Sequence, residues 1–170
     1  MNGRSHFLWS LGLSMWIMHY FFKTRVSLNI VISFLIAFLS WLPDIDIMME
    51  NKYSKEKNRS LFNRFMYIFT KTFLKHRTIT HSIWIPVILI YFSEFYLSGY
   101  YLLKTFLRIV YMSLLLHIFE DTFTVMGVRL FYPLNINFRL FRFRTNSYSH
   151  SCVLNITAVI IISLFIYFYV

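Results

Sequence analysis

Long apolar runs alternate with short polar punctuation along the 170-residue chain. After a polar start carrying Arg4 and His6, residues Phe7 to Phe22 form a run with no charge except a possible one on His19, and Lys23-Thr24-Arg25 then marks a tight turn. Sixteen helical residues rise about 24 Å against a hydrocarbon core of about 30 Å, so a thinned or partly buried span is expected there. Val26 to Leu42 makes a second run, which Pro43 ends because proline cannot continue a hydrogen-bonded helix and restrains the residue before it. A third run starts near His81, tolerates Pro86 in its first turns and stops at Ser98-Gly99. A fourth, from about Tyr100 to Phe123, is interrupted only by Lys104, Arg108, His117, Glu120 and Asp121, and Gly127 stops it; Lys104 and Arg108 are expected to snorkel outward from its early turns. Val153 to Val170 forms the last run. The pattern predicts an all-α, polytopic helical membrane protein of about five apolar spans, a single membrane-embedded domain over 1–170.

Two polar stretches separate these runs. In 47–77, Leu61, Phe62, Phe65, Met66, Phe69, Phe73 and Leu74 recur at three- and four-residue spacing with Arg64, Lys71 and Lys75 between them. That spacing predicts a basic amphipathic helix lying in the membrane interface, or packed on the spans with a solvated basic face. The stretch 127–151 bears Arg129, Arg139, Arg142 and Arg144 and reads as a loop or re-entrant segment.

Composition sharpens the membrane reading. Apolar residues are 58% of the chain and charged residues 14%, where soluble proteins average about 25% charged. A net charge of +10 can signal nucleic acid, but in a chain this apolar it first reports orientation and contact with anionic headgroups, so nucleic acid is not an expected partner and membrane lipids are. Cys152, the single cysteine, can form no disulfide within the chain. The first run ends in Lys23-Thr24-Arg25 instead of a small-residue cleavage site, so it is expected to stay in the mature protein.

With five spans in alternation, thirteen of the seventeen Lys and Arg residues fall on one side, and Lys23, Arg25, Lys104 and Arg108 fall on the other. By the positive-inside rule the crowded side of this cell-membrane protein is cytoplasmic. The same alternation carries His6, Asp44, Asp46, His76, His81, His117, Asp121 and His150 to that side, leaving His19 on the other. Hydrophobicity alone does not require this convergence, and it points to an assembled site.

His117 and Asp121 stand four apart, a spacing that can aim both side chains at one metal ion or simply pair a histidine with a carboxylate. Asp44 and Asp46 can be ligands or helix terminators, and His76 and His81, within His76-Arg77-Thr78-Ile79-Thr80-His81-Ser82, can be ligands or loop anchors. Taken together, these histidines and carboxylates exceed what termination and anchoring need. Mixed nitrogen and oxygen donors without thiolates favour zinc, with manganese or iron as alternatives, over calcium.

Leu42-Pro43-Asp44-Ile45-Asp46, the His76 to Ser82 string, His117-Ile118-Phe119-Glu120-Asp121 and Gly127-Val128-Arg129-Leu130-Phe131-Tyr132-Pro133 resemble the successive motifs of the YdjM-like (DUF457) membrane-bound metal-dependent hydrolases. The resemblance runs from about His6 to Ser149. That family is in turn similar, distantly, to the zinc-dependent phospholipase C and P1 nuclease group. What the resemblance implies is a ligand set of His6, Asp44 or Asp46, His76 or His81, His117 and Asp121. Glu120 departs from a family pattern that commonly has an aliphatic residue there, and it stands with Arg77 as a candidate catalytic residue. The family often has an acid near the position of His150.

The function expected from residues and resemblance together is metal-dependent hydrolysis of a phosphoester, phospholipids included, at the cytoplasmic face. Arg77, with Arg142 or Arg144, is expected to hold the phosphate by paired hydrogen bonds. The competing class is non-enzymatic, either a membrane scaffold or a metal-ion permease. A permease needs ionisable residues near the middle of its spans, and these runs are nearly clear of them.

Overall fold

The computed structural model describes residues 3–44, 61, 62, 65, 68, 79–142 and 148–170. Among them are α1 (Gly3–Tyr20), α2 (Val26–Leu39), α3 (Trp84–Tyr96), α4 (Tyr101–Asp121) and α5 (Tyr148–Tyr169). Short 3-10 turns, Leu42–Asp44 and Ile79–His81, follow α2 and precede α3. The expected breaks fall where the chemistry put them: Lys23 takes φ 49° in the turn between α1 and α2, and Pro43 sits in the 3-10 turn beyond α2.

Three of the five anticipated spans are long and apolar enough to cross a membrane: Val26–Asp44, Tyr101–Asp121 and Ser151–Tyr169. The other two fall short for different reasons. Helix α1 has 18 residues but carries Arg4, Ser5, His6, Ser10, Ser14 and His19, whereas α3 has 13, a rise of about 20 Å. The polarity of α1 is turned inward, with Ser5, His6, Ser10 and Ser14 all buried.

Helix α1 is the centre of the bundle, packing on α2, α4 and α5, while α3 packs on α4. It runs parallel to α5: Ser5 Oγ donates to Asn155 Oδ1 (2.8 Å), Trp9 Nε1 to the Leu154 carbonyl (2.9 Å) and Trp16 Nε1 to the Ile161 carbonyl (3.1 Å). Gly12 makes the approach close, since a Cβ there would lie 3.1 Å from Ile161 Cγ2. Small residues at such crossings let helices pack tightly where lipid offers no hydrophobic drive to associate. Across the α1–α2 contact, buried Asn29 donates to the Met15 carbonyl (2.9 Å) and accepts from Ser33 (3.0 Å). Met18, Ile32, Ile36, Ile109 and Leu116 fill the space between α1, α2 and α4. The outer faces stay apolar, as Phe34 and Phe38 on α2, Ile88 on α3 and Ile156 and Ile160 on α5 show.

Lys104 and Arg108 are paired, not snorkelling alone. Lys104 Nζ lies 2.6 Å from Glu94 Oε2, and Arg108 donates to both oxygens of Glu94 at 2.8–3.1 Å, tying α3 to α4 near the turn between them. Of the basic amphipathic helix, the expected positions Leu61, Phe62 and Phe65 are helical and exposed, as is Ile68, which the expected face did not include; the rest of that segment lies outside the described residues.

Beyond α4, residues 122–142 form an irregular but pinned loop. Val128 and Phe138 exchange backbone hydrogen bonds (3.0 and 2.8 Å), and Leu140 N–H donates to the Thr122 carbonyl (2.8 Å). Gly127 permits the turn, with φ +64° and no room for a Cβ, which would meet the Phe138 carbonyl at 2.5 Å.

Candidate metal centre

The alternation of helices brings the N-terminal end of α1, the Leu42–Asp44 turn, the Ile79–His81 turn and the C-terminal end of α4 to one end of the bundle. Each supplies at least one donor. His117 and Asp121 lie in the last turns of α4, one helical turn apart on the same face. His81 closes its 3-10 turn with Thr80 Oγ1 3.0 Å from its Nδ1, which leaves Nε2 facing inward. Asp44 is carried past the end of α2 by Pro43, and His6 lies in the opening turns of α1.

The donor atoms converge. His81 Nε2 is 3.2 Å from His117 Nε2 and 3.6 Å from Asp121 Oδ2, and Asp44 Oδ1 is 3.7 Å from the first nitrogen and 3.6 Å from the second. His6 Nε2 lies 3.4 Å from Asp121 Oδ1, and its ring stacks on His117 with centroids 4.4 Å apart. Two triads share His117, His6–Asp44–His117 and His81–His117–Asp121, and within each triad one donor atom per residue lies within 4.8 Å of the others. Zinc bonds of about 2.0–2.1 Å in a tetrahedron place neighbouring donors roughly 3.3 Å apart, so the observed spacings fit a divalent cation with little movement. The donor chemistry fits as well: imidazole nitrogens and carboxylate oxygens are ligand types that divalent cations take.

Burial makes the site tight. His6, His81, His117, Glu120 and Asp121 are each at most 1% exposed, and only Asp44, at 31%, reaches solvent. Behind the donors, Glu120 accepts from His6 Nδ1 (Oε2, 2.6 Å) and from Ser10 Oγ (Oε1, 2.8 Å). The bond at Nδ1 fixes the tautomer that leaves the His6 Nε2 lone pair free for a metal. His117 Nδ1, in contrast, is buried without a hydrogen-bond partner among the described residues.

Of the alternatives open in the sequence, the structure brings Asp44 and His81 together with His6, His117 and Asp121. Asp46, His76 and Arg77 lie outside the described residues, as does Arg144; Arg142 is exposed on the loop. Ser10 was not anticipated. Its signal was the spacing His6-x-x-x-Ser10, which on a helix puts the hydroxyl one turn beyond the histidine on the same face.

Buried donors at the end of a bundle with three apolar spans define a helical integral membrane protein with a polar site at one membrane boundary. The chain belongs to the YdjM inner membrane protein family, whose profile matches residues 1–170. No curated protein and no solved structure matches it.

Proposed function

We propose that the chain is a metal-dependent hydrolase of phosphoesters, working at the cytoplasmic boundary of the membrane. The observation that supports this reading most directly is the convergence of three imidazoles and two carboxylates from four separate elements into one buried cluster. A structural histidine–carboxylate pair needs two residues, whereas five whose donor atoms gather from four elements match the ligand set of a divalent cation.

His6, Asp44, His81, His117 and Asp121 would hold the ion, with zinc favoured by the donor set. Bound there, a divalent cation supplies Lewis acidity, making water a nucleophile near neutral pH and shielding phosphoryl oxygens. Glu120 orients His6 through Nδ1 and is a positioning residue. Asp44, the one donor open to solvent, marks the edge from which substrate and water reach the cluster. Arg77 is retained as the candidate phosphate ligand, because a planar guanidinium can grip two phosphate oxygens at once. The Lys and Arg bias supports the cytoplasmic side.

The decisive variant is Asp121→Asn, which keeps the shape and removes the charge. In purified protein, metal content by elemental analysis and phosphoesterase activity should fall together, activity by a hundredfold or more for a loss of about 3 kcal/mol of transition-state stabilisation. Wild-type protein that holds no metal and hydrolyses no phosphoester in a panel including phospholipids would end this reading.

A further inference from the structure

The loop that follows Asp121 has a surface the hydrolase reading does not use. Met126, Leu134, Ile136, Leu140 and Phe141 are all more than half exposed, yet the backbone carrying them is fixed by the Val128–Phe138 pair and by Leu140 N–H on the Thr122 carbonyl. The loop is also fastened to the start of α3, where Ile83 N–H donates to the Leu130 carbonyl (2.9 Å) and Trp84 Nε1 to the Tyr132 carbonyl (3.0 Å). These apolar side chains are therefore held outward by a set backbone. Five exposed apolar side chains on one pinned loop exceed the singly scattered apolar residues that are normal on a surface.

Charge identifies the partner. Arg129, Arg139 and Arg142 punctuate the same loop, and no acid follows Asp121 anywhere in the sequence. Position narrows it further: the loop begins at the end of the Tyr101–Asp121 span, so it starts at headgroup depth. Apolar side chains interleaved with arginines that have no acidic partner among the described residues match a leaflet of anionic lipid, whose acyl boundary accepts the former and whose phosphates accept the latter. We infer that residues 125–142 are a docking surface for the anionic leaflet, seated in its headgroup layer. This does not rest on hydrolysis or on a metal.

The test places a polarity-sensitive fluorophore at Leu134→Cys, in a chain whose exposed Cys152 has been replaced by serine, and reconstitutes the protein in nanodiscs. Phosphatidylglycerol-rich and pure phosphatidylcholine discs, each with lipid-borne quenchers at shallow depth, form the two arms. The expected result is quenching by the lipid-borne probe that is at least about twofold stronger in the anionic discs, with the difference lost when Arg129, Arg139 and Arg142 become glutamine. Should the triple variant fail to insert, raising ionic strength on the unmutated loop serves instead and should weaken the quenching in anionic discs only. A label that remains accessible to an aqueous quencher and untouched by the lipid-borne one in both discs overturns the proposal and leaves the surface to a protein partner. Equal quenching in the two discs overturns its anionic selectivity.

Discussion

Glu120 shows how one side chain can matter without touching a substrate. It is buried, its two oxygens are taken by His6 and Ser10, and its position beside Asp121 keeps it just behind the donor cluster. Replacing it by leucine should leave His6 free to rotate or change tautomer, lowering metal affinity by about 10–100-fold, as loss of such outer partners commonly does. Glu120→Gln should cost less, because the amide oxygen can still accept from Nδ1. Competition with a chromophoric chelator reads the affinity directly, and equal affinities across wild type, Gln and Leu would remove Glu120 from the site. At this scale the sequence was legible in part. The i, i+4 pair of His117 and Asp121 declared itself by spacing, whereas Ser10 and Glu120 form a contact across 110 residues that no local pattern encodes.

Among the elements, the loop after α4 depends most on a single backbone angle. Gly127 sits at φ +64°, and a Cβ would come within 2.5 Å of the Phe138 carbonyl and 2.3 Å of Arg139 Cγ. The arginine side chain can move, but the carbonyl belongs to the Val128–Phe138 pair and cannot. Gly127→Ala should therefore cost more than the roughly 1–2 kcal/mol of a left-handed residue alone, seen as a lower melting temperature in detergent and faster proteolysis of the loop. An alanine variant as stable and protease-resistant as the wild type would show that the turn relaxes freely. Helix boundaries were readable because prolines, glycines and charges end them for local reasons. The count of spans was not, since α1 is apolar enough to look like a membrane helix only if its serines and histidines are ignored, and where they point is a property of the packed bundle.

For the whole molecule, alternation of helices separates two chemistries. The donor cluster occupies one end, and Glu94, Lys104 and Arg108 occupy the other, close to the turn that joins α3 and α4. Cysteines introduced at Arg139 and Lys23 in a Cys152→Ser background should therefore differ in intact cells, with an impermeant maleimide reaching position 23 and not position 139 until the membrane is opened. The reverse pattern would invert the assignment from basic residues. This separation was legible from the sequence once the runs were set in alternation, because each turn reverses the chain whether or not both flanking helices cross the bilayer fully.

The parallel contact between α1 and α5 joins the two ends of the described chain. His6 is carried by a helix that also packs on α5, through Ser5 on Asn155 and Trp9 on the Leu154 carbonyl. Synthesis proceeds from the N-terminus, so α1 meets Glu120 of α4, the partner of His6 and Ser10, before it meets α5, and Ser5 waits longer for Asn155. The donors on the Asp44 turn, the His81 turn and α4 all emerge before that moment. The donors can therefore gather before residue 148 is made, and α5 then covers the face of α1 that carries Ser5 and Trp9.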